Sequence, residues 1–489
     1  MPADSHALTP GSVTARQDSI AIWSLPFAFV FIIGVGFLFT FYDIFDINVS
    51  FIQTCLQIIP ACHKPPDAGQ FLGQPVLWNL IGYVIGTLIM SPLADRFGRR
   101  EMLVVTMVIT GLGSLFTAFV SDYNTFIIAR TITGIGIGAD LAIVNTYINE
   151  VAPRNARAKY TALVFTMSAL GAFLGIWLGL LLTTAPTPFP LGLPFALAGA
   201  NFSNGWRIMY VIGGALALVG VLLRVQLPES PRWLVSRGKL DKADAVVQRM
   251  ERYAATRSAA PVAAQAEEVP VTIDTGNLAF GSLFRNPLYV RRLVLLLVVW
   301  LTGYVTVYSF AAGLTTILAT LNYPPPEAGL ITAVGTFGFI ACGAFSYAFA
   351  ERLERKLWLP IAAVLTLIGG ILIAVAGKAA AGEAVLTTAP IVAFIGAIIV
   401  FFGFNIWIPA TYAWSTENFP TRARTTGFGI VDGIGHVGGG IGLLLIAPNL
   451  AQLGPLNSFL LIGAFLVVAA VIAQFGIATR GVRLDVVSP

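Results

Sequence analysis

Residues 94–100 read Ala-Asp-Arg-Phe-Gly-Arg-Arg, and residues 350–356 read Ala-Glu-Arg-Leu-Glu-Arg-Lys. Each charged run follows the second long apolar block of its half of the chain. A second pair behaves alike. Glu150, Pro153 and Arg157 share their spacing with Glu417, Pro420 and Arg424, and each trio follows a fourth apolar block. Two motifs repeated in the same order, at nearly the same offset, imply two similar bundles. In transporters built from such repeats the substrate site lies near the bilayer midplane, where the bundles meet.

Working outward from these motifs, the rest of the chain reads as membrane-spanning. Of its 489 residues, 56% are hydrophobic and 11% charged, whereas a soluble domain carries about 25% charge. The apolar blocks are long enough to cross a hydrocarbon core of about 30 Å as helices, since backbone groups in lipid must be satisfied within the segment. They predict twelve spans at 22–47, 76–94, 102–120, 123–149, 159–184, 206–223, 292–321, 327–350, 357–377, 385–416, 424–447 and 456–479. The expected fold is an all-α membrane protein of two six-helix bundles, residues 22–223 and 292–479. They are joined by a linker over 224–291 and flanked by tails at 1–21 and 480–489.

Charge sets the expected orientation. With the N-terminus in the cytoplasm, Arg96, Arg99 and Arg100 share one cytoplasmic loop, Arg154, Arg157 and Lys159 the next, and Arg352, Arg355 and Lys356 a third. Only Lys64, Arg130, Arg207 and Lys378 of 29 basic residues fall elsewhere. That asymmetry puts both termini inside. The basic residues form no patch with interleaved aromatics, so nucleic acid is not an expected partner. In the linker, 232–257 reads as an amphipathic helix and 279–290 as a short interfacial one, with a flexible Ala/Pro/Glu stretch between. Cys55 and Cys62 share one exterior loop, where a disulfide and two free thiols are both compatible with the sequence; Cys342 is a buried small hydrophobe. No cleavage site follows a short apolar core, so the first span is expected to be retained.

These residues resemble the major facilitator superfamily, and within it the branch that includes the sugar porters. The resemblance rests on Gly36-Phe-Leu-Phe followed by Tyr42-Asp43, and on Asp95-Arg96-x-Gly98-Arg99-Arg100 between spans two and three. It continues with Arg130-x-x-x-Gly134-x-Gly136-x-Gly138 and Glu150 in span four, Pro228-Glu-Ser-Pro-Arg-Trp-Leu234 after span six, and Glu417-Asn-Phe-Pro after span ten. Both halves are covered. The resemblance implies alternating access and a proton-sensitive pair of Asp43 and Arg130, while Asp95, Arg99, Arg100, Glu150, Arg157, Glu417 and Arg424, at cytoplasmic helix ends, are expected to form an ion-pair gate. The sequence departs from hexose carriers in having no Gln in spans five or seven and no Pro-Glu-Thr in its tail.

An ionisable group at mid-bilayer costs at least about 2.5–3.5 kcal/mol, so interior charges mark function by default. Asp43 is expected in the outer third of span one, level with Arg130, and Asp46 one turn further out near the interface, as a substrate contact. Asp140 lies about 15 Å deeper than Arg130 at 1.5 Å per residue, where a carboxylate serves as proton site, cation partner or substrate ligand. Asp432 and His436, one turn apart on span eleven, share a face as proton relay, substrate clamp or buried structural pair. Trp300, Tyr304 and Tyr308 repeat every fourth residue; with Trp177, Asn405, Trp407, Tyr412 and Trp414 they are candidate wall residues that favour a substrate with an apolar or cationic face. Only Arg130 and His436 count as interior cations in this reading, which tilts the expected substrate towards neutral or cationic solutes.

The expected function is secondary active transport of a small solute (a sugar, polyol or other metabolite) with protons as partners and the lipid bilayer as setting, by a chain working as a monomer. Proton symport leads; uncoupled facilitation, proton-antiport export and a non-transporting solute sensor are the alternatives. No metal-ligand cluster, nucleotide loop or Ser/His/Asp arrangement points to an enzyme, and no cofactor or metal is expected.

Overall fold

In the computed structural model the described residues are 8–153, 157–257, 280–349, 352–378, 386–387, 389–419 and 424–480. Helix α1 (Pro10–Ser19) precedes six long helices: α2 (Ala28–Ile58), α3 (Ala68–Phe97), α4 (Arg99–Phe119), α5 (Tyr123–Val151), α6 (Arg157–Thr183) and α7 (Gly205–Arg224). Short helices α8 (Pro231–Ser236), α9 (Leu240–Ala255) and α10 (Phe280–Arg285) follow. The second half holds α11 (Pro287–Ala311), α12 (Leu314–Thr320), α13 (Pro325–Phe349), α14 (Trp358–Ala376), α15 (Pro390–Ile406), α16 (Ile408–Glu417), α17 (Arg424–Ile446) and α18 (Leu450–Ala473). A two-residue pairing of Gly377–Lys378 with Leu386–Thr387 follows α14.

Eleven helical runs among the described residues are long and apolar enough to cross a membrane. One of them, Thr426–Ala473, spans 48 residues and contains both α17 and α18, which yields twelve crossings. Within the first half α2 packs on α6, α3 and α4 on α5, and α4 on α7; within the second α11 packs on α17 and α18, and α14 and α13 on α15. The halves meet along two seams, α3 against α17 and α6 against α13. The glycine run of α5 serves close approach: a Cβ on Gly134 or Gly138 would lie 1.9 or 2.2 Å from the carbonyl oxygens of Asn79 and Tyr83 on α3.

Three boundaries differ from the sequence reading, and each matters for the site. Helix α2 runs to Ile58, eleven residues beyond the expected end, because Asn48, Ser50 and Thr54 are buried in protein rather than exposed to lipid. Asp43 is therefore at mid-helix, and Asp46, expected near the interface, is completely buried. The seventh and tenth spans are each interrupted, at Ala312–Gly313 and at Trp407, with Pro409 just inside α16. At the first break Asn48 of α2 acts as a clasp: its amide donates to the carbonyls of Phe310 (2.9 Å) and Ala311 (2.7 Å), and its Oδ1 accepts from Thr315 N–H (2.9 Å). These bonds join the two halves two turns before the Cys55–Cys62 disulfide on α2.

At the opposite, basic end, the N-terminal segment is not a bare tail. Thr9 caps α1, accepting from Ser12 N–H, and Pro10 occupies its first turn. Val13 packs with Trp233, Leu234, Val235, Ala243 and Val247 of α8 and α9. Arg16 bridges Asp244 and Glu251 (2.6 Å each), Arg232 pairs with Asp18, and Gln17 donates to the carbonyl of Glu150 at 2.6 Å. The expected single helix over 232–257 divides at Gly238, whose φ of 68° suits a residue without a Cβ.

Candidate functional site

Among the described residues, three of the buried polar centres inside the bundle contain the interior charges expected from sequence. In the first, Arg130 of α5 donates from Nη1 to Asp43 Oδ2 (2.9 Å) and from Nη2 to the Asp43 carbonyl (2.8 Å); both side chains are 2% exposed. The Arg130 guanidinium also lies over the Tyr210 ring of α7, 5.4 Å from its centroid. One turn along α2, Asp46 is buried with no hydrogen-bond partner for either carboxyl oxygen.

The second centre surrounds Asp140. Its carboxylate receives a two-pronged contact from Arg224, with Nη2 to Oδ2 at 2.9 Å and Nη1 to Oδ1, and a hydrogen bond from the Thr106 hydroxyl at 2.9 Å. Both charged side chains are fully buried. Arg224 also donates to the Leu103 carbonyl at 2.8 Å, so the pair ties together α4, α5 and α7. The sequence count of two interior cations thus missed a third. Arg224 closes an apolar block at the basic end, where a charged residue ordinarily marks the interface, and no spacing rule distinguishes it from such a residue.

The third centre joins the halves. Asp432 of α17 accepts from Tyr83 of α3 (2.8 Å) and Tyr304 of α11 (3.1 Å), and the Tyr412 hydroxyl of α16 lies 3.3 Å from that of Tyr304. His436 Nδ1 is 2.7 Å from the Asp432 carbonyl and 3.5 Å from its Oδ1. The imidazole lies between two rings: Tyr83 at 4.1 Å, nearly parallel, and Tyr304 at 4.0 Å. Trp300 extends the aromatic wall, 4.8 Å from Trp407 and 5.2 Å from Tyr412, and donates to Ser415 at 2.9 Å. Tyr308 completes it, 5.8 Å from both Tyr304 and His436. Two polar groups one turn apart in this region, Trp407 Nε1–H and the Thr411 hydroxyl, are buried without a hydrogen-bond partner. Tyr83 was absent from the sequence candidates; an aromatic in an apolar span carries no local mark of reaching across to the other half.

Residues 27–488 match the sugar (and other) transporter family. The chain belongs to that family. Among its curated relatives, the niacin transporter NiaP of Acinetobacter baylyi is 26% identical over 97% of this chain and 99% of its own length. The 4-hydroxybenzoate transporter PcaK of the same organism is 27% identical over 84% of this chain and 82% of its own. Among solved structures, that of the major facilitator superfamily proton:xylose symporter XylE bound to 6-bromo-6-deoxy-D-glucose aligns with a TM-score of 0.66. It covers 94% of this chain and 98% of that one at 22% identity, and it is a likeness of fold.

In this member of the sugar (and other) transporter family the remaining candidates fall outside the three centres. Trp177 is half-buried on the α6–α13 seam and donates to Thr336 at 3.3 Å. Asn405 turns its amide back to the Phe401 carbonyl of its own helix at 2.8 Å. Trp414 donates to the Ile477 carbonyl at 2.9 Å, towards the basic end. Of the gate residues, Arg99 pairs with Glu150 (3.2 Å) within the first half, and Glu417 pairs with Arg355 (3.4 Å) within the second. Arg100 contacts Glu101, and its backbone N–H, with that of Arg99, donates to Glu229 of the Pro228-Glu-Ser-Pro motif. Burial pushes the Glu229 carboxyl above its ordinary range, while these N–H donors favour its anion. The side chains of Asp95, Arg157 and Arg424 lie outside those described.

Proposed function

We propose that the chain carries a small solute bearing a flat ring across the membrane together with a proton, by alternating access, with both termini in the cytoplasm and one chain as the working unit. The observation that carries this reading is the third centre. A wall of Trp300, Tyr304, Tyr308, Trp407 and Tyr412 encloses one carboxylate and one histidine, and Tyr83 reaches them from the other half. Rings of this kind bind a planar solute by stacking. The Trp407 N–H and Thr411 hydroxyl suit a carboxylate or carbonyl on it, since a buried donor left unmade costs about 1–3 kcal/mol. Niacin and 4-hydroxybenzoate, the compounds in the two relatives' names, are both ring carboxylates. This shifts the expected solute away from hexoses and cations.

Proton coupling is supported by the pairing of Asp432 with His436, a carboxylate and an imidazole between which a proton can pass, and by the Asp43–Arg130 pair in the other half. The test is reconstitution into vesicles holding a pH-sensitive dye, with nicotinate, benzoate, hexoses and amines added outside. A ring carboxylate that acidifies the lumen, against no response to hexoses, is the expected result. A hexose response alone overturns the substrate class. Equilibration of a labelled ring carboxylate with no proton signal leaves a facilitator.

A further inference from the structure

We infer that Asp46, not Asp43, is the carboxyl group that holds the proton in the first half, with Asp43 kept as the anion of Arg130. The inference rests on the symport reading only for its transport consequence; the assignment of the proton itself stands on the geometry of α2, α5 and α7.

The first centre contains two carboxyl groups and one guanidinium. Arg130 gives Asp43 both a side-chain and a backbone hydrogen bond, so the single cation is committed to one of the two. Asp43 retains one unpartnered oxygen, Oδ1. Asp46 has neither oxygen partnered and forms no ion pair, although it is as deeply buried as any side chain in the protein. The groups facing it are Asp43 and the Ile47 backbone N–H on its own helix, Arg130 of α5, and the phenols of Tyr42 and Tyr210. Tyr42 spends its hydroxyl on the Met209 carbonyl at 2.8 Å. On the α6 side, Gly175 brings backbone against the Asp46 amide: a Cβ there would lie 3.4 Å from Asp46 N.

An unpaired anion in such surroundings is the costly case. A buried charge without partner or hydrogen bonds neutralises instead of remaining ionised. Two neighbouring carboxyls that share one cation divide the roles, one ionised and one protonated. The cluster is then electrically neutral: one guanidinium, one carboxylate and one carboxylic acid. Loss of the Asp46 proton would leave a net negative charge beside the Asp43–Arg130 bond and draw the guanidinium towards Asp46, loosening the link between α2 and α5. That exchange of partners is what would tie the proton to movement of α2, which also carries the Asn48 clasp two residues further on.

The test needs no substrate at its first stage. Purified protein is titrated from acid to alkaline pH while infrared difference spectra record the stretching band of protonated carboxyl groups. A band that persists at neutral pH in the wild type and in Asp43→Asn, and disappears in Asp46→Asn, is the expected result. A band absent from the wild type at neutral pH, or unchanged in Asp46→Asn, overturns the assignment, as does stabilisation of the wild type by sodium ions that Asp46→Asn abolishes. Asn is close in shape to a protonated Asp, so Asp46→Asn should keep its thermal midpoint at neutral pH; should it fail to fold, Asp46→Glu must instead shift the band. At the second stage, with nicotinate as probe in vesicles, Asp46→Asn is expected to lose proton entry while labelled nicotinate still crosses the membrane. Wild-type proton entry retained in Asp46→Asn overturns the assignment. Wild-type vesicles with no proton entry, but with the infrared band at Asp46, would leave the proton site in place and overturn only the symport reading.

Discussion

Gly36 shows how far one hydrogen atom can matter. A Cβ at this position of α2 would lie 1.6 Å from Arg224 Nη2 and 2.8 Å from Asp140 Oδ2, so α2 closes over the second ion pair only because position 36 has no side chain. Gly36→Ala must push either the helix or the guanidinium aside, an overpacking cost of about 1–3 kcal/mol. Arg224→Met is expected to cost more, about 3–5 kcal/mol, because it leaves the buried Asp140 carboxylate uncompensated. Thermal unfolding of the purified proteins should place the two in that order, and Arg224→Met with Asp140→Leu should regain much of the loss. An Arg224→Met variant as stable as the wild type would show the pair to be solvated. The motif residues on this helix were readable from sequence, but the reason for Gly36 was not: its neighbour is 188 positions away and sits at a helix end.

Among elements, the interrupted seventh span is one whose form the sequence concealed, as it did the break in the tenth. Its apolar run is continuous through Ala311, Ala312 and Leu314, and hydropathy alone predicts one helix from 292 to 321. What breaks it is an acceptor and donor set supplied from α2, where Asn48 takes over backbone groups that the helix no longer satisfies. Asn48→Ala removes three such bonds, each worth about 0.5–1.5 kcal/mol. The arrangement held by this clasp should lose about 1.5–4.5 kcal/mol relative to one in which the halves part here, roughly a ten-fold or larger change in their ratio. A cysteine introduced at Thr316, buried on α12, should then react with a water-soluble thiol reagent several-fold faster from the disulfide end. An unchanged rate would mean that packing of α12 on α2 and α3 holds the halves together here without Asn48.

For the whole molecule, the twelve spans, the internal repeat and the family were legible because they rest on block length and on motifs at recurring offsets. The relation between distant parts was not. Helix α1 has a polar sequence that gives no hydrophobic stripe beyond Val13, yet it binds α8, α9 and the end of α5 through Arg16, Asp18 and Gln17. Tyr83 was missed for the same reason, since contact across bundles leaves no period in the sequence; Arg224, whose partner lies in its own bundle, was missed because a charge at a helix end reads as interfacial. Exposed ion pairs contribute about 0–1 kcal/mol each, and Arg16 is 38% exposed, so Arg16→Glu should barely move the unfolding midpoint. It should nevertheless raise the rate of proteolytic cleavage near α9, and Asp244→Arg with Glu251→Arg in the same chain should slow it again. Cleavage unaltered by Arg16→Glu would show that the Val13 cluster alone holds α1.

The Asn48 clasp has one more consequence, for how such a chain can diversify. It grips peptide carbonyls and an amide of the seventh span, not side chains, and every amino acid except proline offers the same groups. As far as this clasp is concerned, the residue type at 310, 311 and 315 is not prescribed, and only the packing around them limits it. A lineage can change the side chains along this helix without having to rebuild the contact that joins the two halves here.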